Sequence, residues 1–194
     1  MKYLTVLFFF CCSTRLSAQT ATYSLFNPSN GSSSNIAVRQ TDDQIDVNVL
    51  ADWKNKTGKY GEFTGSGVLI NRKCVIKTDS TACRIRMEFS DRQLDVAFDD
   101  CMDYLLPEDF SGVYTKIADY IPGEYTVTSD ISFFYSKPNE KARKKGFSSK
   151  AQVLNIEQLF KGDWGFATLM FNGKQSFGYV KMSDLKFRKT YLYD

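Results

Sequence analysis

The sequence predicts an all-β protein, an antiparallel β-domain followed by a small barrel, and three observations carry that prediction. Between Lys59 and Asp100 apolar and polar residues alternate with the period of two that places successive side chains on opposite faces of a sheet. Asn172-Gly173 stands between two runs rich in aromatic and β-branched residues, and both tolerate the positive φ of a type I′ hairpin turn. Gln44 to Leu50 alternates in the same way and reads as a further half-buried strand.

Residues 1–19 read as a secretory signal peptide. Lys2 supplies an early charge, Tyr3 to Cys12 form an apolar core, and Leu16-Ser17-Ala18-Gln19 offer small residues for cleavage. That run is too short to span a bilayer, so no transmembrane segment is expected once it is removed. Cys11 and Cys12 invite a lipid anchor, but Phe10 occupies the place where a lipoprotein signal has a small residue. The expected location is therefore periplasmic or secreted.

Residues 20–120 are expected to form the antiparallel β-domain. Gln44 to Leu50 alternates Ile45, Val47 and Val49 against Gln44, Asp46 and Asn48, and the Lys59 to Leu69 run, with Tyr60, Phe63 and Val68 among glycines, predicts a bulged strand. With tight turns at Ser80-Thr81 and Ser90-Asp91, Cys74 falls opposite Met87 and then Leu94, Ile76 opposite Ile85 and then Val96, and Thr78 opposite Cys83 and then Phe98. Lys77, Arg84, Arg86, Glu88, Gln93, Asp95 and Asp99 then make the wet face. Cys83 lies near one end of its hairpin and Cys101 just beyond the partner strand, so export predicts a Cys83–Cys101 disulfide and leaves Cys74 a buried free thiol. A Cys-strand-strand-Cys unit ahead of Phe110-Ser111-Gly112-Val113-Tyr114 distantly resembles small periplasmic β-proteins.

Pro122-Gly123 marks the expected junction, and charge changes sign there. Residues 20–124 hold 11 basic and 16 acidic groups, residues 125–194 hold 12 and 6. Residues 121–194 are expected to be the barrel. Its order is a strand over Tyr125 to Tyr135, a long loop, a strand over Ala151 to Phe160, a short turn, a strand from Gly162-Asp163-Trp164, the Asn-Gly hairpin, and a strand containing Gly178-Tyr179-Val180 that ends at Ser183-Asp184-Leu185. Over about Tyr125 to Phe187 this resembles a bacterial SH3 (SH3b) domain. The chain departs from that family at Ser132-Phe133-Phe134-Tyr135-Ser136-Lys137-Pro138. The resemblance implies a binding or spacer module on an envelope protein, with Trp164 packed partly on the barrel and partly at its surface.

The absence of histidine is the strongest compositional constraint on chemistry. It excludes a Ser-His-Asp triad, a Cys-His dyad and a His-containing zinc site built from this chain's own residues. Carboxylates remain: Asp42, Asp43 and Asp46, and Asp99, Asp100, Asp103, Glu108 and Asp109. A glycosidase needs two facing acids, one embedded among apolar groups. These sit in short polar runs at predicted turns and read as solvated loops. No enzyme, cofactor or metal is expected, since the spacing also fits no EF-hand.

Binding residues are sought instead in two places. Lys137, Lys141, Arg143, Lys144, Lys145 and Lys150 form a basic cluster in the expected long loop, able to meet phosphate- or carboxylate-bearing envelope polymers or simply to solvate the loop. Among Phe133, Phe134, Tyr135, Trp164, Phe177, Tyr179, Tyr191 and Tyr193 about half must fill the core, and a ligand groove is assigned to Phe134, Trp164 and Tyr179. With no RNP-like pattern, nucleic acid is not an expected partner. The leading expectation is a non-catalytic exported envelope protein whose SH3b-like module binds cell wall or a protein partner. The alternative is an inhibitor or immunity-type protein whose acidic N-terminal domain occludes a basic foreign enzyme.

Overall fold

In the computed structural model, residues 19–53, 60–78 and 81–190 are described, so residues 1–18 of the expected signal peptide, Ser80, Tyr191 and Tyr193 lie outside the description. The protein is all-β: among the described residues every strand pairs antiparallel and the only helical elements are short 3-10 turns.

The first sheet comprises β1 (Gln19–Phe26), β2 (Ser33–Thr41), β3 (Gln44–Asp52), β4 (Tyr60–Val68), β5 (Lys73–Lys77), β6 (Arg84–Phe89), β7 (Gln93–Asp99) and β8 (Gly112–Ala118). Their spatial order is β4-β3-β2-β1-β8-β7-β6-β5. The two outermost strands are thus neighbours in sequence, joined by a turn closed by the Ile70–Lys73 bridge, and the sheet curls until β4 lies against β5. The glycines of β4 make that approach possible. A methyl group on Gly67 would lie 2.6 Å from Cys74 Sγ, and one on Gly65 would lie 2.8 Å from Ile76 Cγ2. The expected bulge is absent, since β4 pairs with β3 without a break from Gln44↔Val68 to Asp52↔Tyr60. Glycine here serves close backbone approach rather than an extra residue. Inside the nearly closed barrel Ile45, Val47, Val49, Ile76, Ile85, Leu94, Phe98 and Tyr114 are buried, as the alternation predicts.

The β5–β6 register is as expected, with Cys74↔Met87 and Ile76↔Ile85. The β6–β7 register differs by two residues, giving Ile85↔Phe98, Met87↔Val96 and Phe89↔Leu94. The turn sits on Asp91-Arg92, one residue later than expected, closed by Ser90 N–H donating to Gln93 O at 2.9 Å. A two-residue slip preserves side-chain parity, so the apolar face survives the error. Cys83 and Cys101 are bonded with Cα atoms 4.4 Å apart, and Cys74 is a buried free thiol.

The second sheet comprises β9 (Gly123–Val127), β10 (Ile131–Tyr135), β11 (Arg143–Ser149), β12 (Val153–Phe160), β13 (Trp164–Phe171), β14 (Lys174–Lys181) and β15 (Leu185–Lys189), in the order β11-β10-β14-β13-β12-β9-β15. The run expected as one strand over Tyr125 to Tyr135 is two, β9 and β10, and the expected long loop contains β11, which pairs with β10. The Asn-Gly hairpin is present, with φ of 50° at Asn172 and 72° at Gly173. Tyr125, Val127, Phe134, Leu154, Ile156, Leu159, Val180 and Met182 pack a second apolar cluster.

Both sheets use the same local device. In Phe110-Ser111-Gly112-Val113-Tyr114 and in Ile121-Pro122-Gly123-Glu124-Tyr125 a fully buried tyrosine donates its hydroxyl to the carbonyl four residues earlier, at 2.7 Å in each case. The intervening glycines adopt φ of 149° and 154°, and a methyl group on Gly123 would strike Lys189 O at 2.5 Å. Burial drives the phenols of Tyr114 and Tyr125 well above their ordinary value. A raised folded-state value means that the stabilisation is complete below the unfolded phenol value of about 10 and is lost as pH rises past it. Thermal melts are expected to hold steady from pH 7 to 9 and to fall above pH 10, with Tyr114→Phe flattening that fall.

Thr20 and Thr22 donate to Asp119 O and Tyr120 O, and Ile121 is fully buried beside Ala37, so the chain between the sheets is fastened to β1 and β2. Each sheet carries its own apolar cluster; the division expected near Pro122-Gly123 is tested by expressing the second sheet alone. Residues 120–194 expressed alone are expected to melt cooperatively; a fragment that stays unfolded would mean one shared folding unit.

Candidate functional site

The Asn172-Gly173 turn fixes which residues of β13 and β14 share a face. It sets Trp164 opposite Lys181, Phe166 opposite Tyr179, Thr168 opposite Phe177 and Met170 opposite Gln175, while Gly165, Ala167, Leu169, Val180 and Met182 turn inward. Tyr135 of β10 lies opposite Tyr179, and Phe160 of β12 lies opposite Trp164. Four strands therefore contribute rings to one surface.

The rings interlock mainly edge to face. Phe160 and Phe166 each pack against Tyr179, with centroids 5.1 and 5.4 Å apart, and Tyr135 packs against Trp164 at 4.8 Å. Such pairs contribute about 0.5–1.5 kcal/mol beyond area burial. At the outer end Phe166 meets Phe177 at 6.2 Å, and Phe177 and Met170 are 58% and 64% exposed.

Cations sit on these rings. The Arg143 guanidinium lies 3.1 Å above the centre of Phe133, Lys144 Nζ is 5.7 Å above Phe177, and Lys181 Nζ is 6.0 Å above Trp164. The first two are consecutive on β11, where the register slips between Phe133↔Gly146 and Tyr135↔Arg143. A bulge of this kind re-aims side chains that a flat strand would send to opposite faces. Lys181 also forms an ion pair with Glu140. The hydrogen bond between them holds the Glu140 carboxyl below its usual range and raises Lys181.

Among the residues assigned to the groove from sequence, Trp164 and Tyr179 lie on this face, and Phe134 does not. Phe134 is 4% exposed in the core, lying over Gly178, where a methyl group would meet Phe134 Cβ at 3.1 Å. Strand parity puts half-buried Phe133 and buried Tyr135 on the opposite side, where Tyr135 packs against Trp164. Among the assigned cations, Arg143 and Lys144 are exposed on β11 rather than in a loop, and Lys141 is exposed in the 3-10 turn Glu140–Ala142. The Lys145 side chain lies outside the description. Sequence reasoning missed Phe160, Phe166 and Lys181. Counting outward in steps of two from Asn172-Gly173 would have placed Phe166 with Tyr179 and Trp164 with Lys181.

Among the described residues the carboxylates do not assemble a second site. Asp46 is on β3, not in a loop, and is 5% exposed. Burial pushes its carboxyl up, but hydrogen bonds from Arg39 at 2.8 Å, Gln44 and Ser66 outweigh that and hold it below the usual range. Asp99 ends β7 and is clamped by Arg86, with contacts of 2.7 and 2.9 Å. Asp42, Asp43, Asp100, Asp103, Glu108 and Asp109 are exposed, as expected of solvated turns. Burial pushes the Cys74 thiol up to about 11, which keeps it protonated and unreactive at neutral pH.

What this arrangement offers chemically is stacking and ion pairing on an open surface. No known protein family, curated protein or solved structure matches the chain.

Proposed function

We propose that the protein is a non-catalytic, exported envelope protein whose second sheet, an SH3b-like module, binds cell wall or a protein partner through its cationic aromatic face. The observation that carries the reading is the placement of Arg143, Lys144 and Lys181 on the rings of Phe133, Phe177 and Trp164 at one surface. Exposed aromatic patches rimmed by charge are where proteins meet partners. The meander β12-β13-β14, joined through β9 to β15, follows the strand, turn and Asn-Gly hairpin order on which the SH3b resemblance rests. Export rests on the expected signal peptide and accords with the Cys83–Cys101 bond.

Co-sedimentation with purified sacculi and capture from a periplasmic extract test the two partner classes side by side. Retention by either is expected to weaken with salt, because exposed charges are screened within about 8 Å at physiological ionic strength. A chain retained by neither has no envelope-binding function. The inhibitor reading draws on a different segment, residues 100–109, where Asp100, Asp103, Glu108 and Asp109 are exposed together with Met102 and Leu105. Salt-sensitive binding to a cationic lysozyme, untouched by changes on β11, would favour it.

A further inference from the structure

We propose that the ligand of the cationic aromatic face is an acidic polysaccharide, a chain of sugar rings carrying carboxylates. This rests on the binding-module reading above and names the class of ligand it takes.

The Arg143 guanidinium uses its planar face on Phe133, which leaves its in-plane N–H edge for an outside acceptor. Among the described residues no carboxylate pairs with Arg143 or Lys144. A guanidinium edge beside an ammonium is a fitted receptor for a carboxylate, taken in two parallel hydrogen bonds by the arginine. The charge balance agrees, with 12 basic against 6 acidic residues in 125–194, and the acid nearest Arg143 in sequence, Glu140, is already tied to Lys181.

Charge alone does not account for the surface. Phe177 is 58% exposed beside Lys144, and half-buried Phe166 and Tyr179 continue the rings inward. An apolar ring left in water next to a cation suits a ligand that alternates flat C–H faces with carboxylates, as a uronate chain does. Neighbouring strands are about 4.8 Å apart, so ring and cation recur across β11, β10 and β14 on the scale of one sugar residue. A bare polyanion would leave the rings wet, and a neutral glycan would leave Arg143 and Lys144 unpaired.

Titration of the full chain with polygalacturonate oligomers, polyglutamate and dextran decides it. Polygalacturonate is expected to bind about tenfold or more tightly than polyglutamate, to weaken with salt, and dextran not to bind. The double variant Arg143→Gln/Lys144→Gln and the single variant Phe177→Ala are each expected to lose about tenfold in affinity while melting like the parent. All three side chains are exposed; should Phe177→Ala fail to fold, the double variant carries the test alone. Equal binding of polyglutamate or dextran, or undiminished binding by the double variant, overturns the proposal. A chain that ignores polygalacturonate yet sediments with sacculi loses this ligand class and keeps the module reading; one that does neither loses both.

Discussion

Replacing Trp164 with alanine is expected to destabilise the second sheet by about 3–5 kcal/mol, enough to unfold a domain whose whole margin is only about 5–15 kcal/mol. The side chain is 8% exposed, stacks edge to face on Tyr135 at 4.8 Å, and begins the central strand β13 opposite Lys181. Its removal leaves a cavity between β10 and β13 that the rigid rings around it cannot fill. Thermal melts check this, and a variant that melts like the parent would show Trp164 to be a surface residue. The same change costs the binding face its anchor for Lys181, so loss of binding by this variant says nothing about contact.

Removing the disulfide by Cys83→Ser with Cys101→Ser is expected to cost about 3 kcal/mol. The bond closes a loop with a sequence separation of 18, and the entropy it withdraws from the unfolded chain grows slowly with loop length. It also anchors the segment from Met102 to Phe110, whose 3-10 turns make few ladder bonds of their own. Cys74, 2% exposed between β4 and β6, should resist thiol reagents until the barrel unfolds. Non-reducing peptide mapping and reagent kinetics across the melt check both; a native bridge at Cys74 would contradict them.

Much of this fold is legible in the sequence because strand faces obey a period of two. The inward set Cys74, Ile76, Ile85, Met87, Leu94, Val96 and Phe98 was readable even with the second turn misplaced by one residue, since parity outlives such a slip. Closure of the first sheet was not readable. It depends on Gly65 and Gly67 meeting Ile76 and Cys74 across a gap that no local pattern encodes. The site was half legible for a related reason. Parity placed Phe133 with Tyr135 correctly, but which face was the core depended on Gly178 admitting Phe134, a tertiary contact between β10 and β14. The basic cluster read as a loop because Arg143 to Ser149 alternates no apolar residues, and its strand is defined by pairing with β10 alone.

The central claim is that Arg143, Lys144 and their neighbours make contact rather than stability. Its most direct test is a paired melt and low-salt sacculus pull-down on the variant with Lys141, Arg143, Lys144 and Lys145 all changed to glutamine. Exposed charges contribute little to folding, so the melting temperature should stay within a degree or two of the parent while binding collapses. A variant that folds and is retained with undiminished affinity would contradict the account.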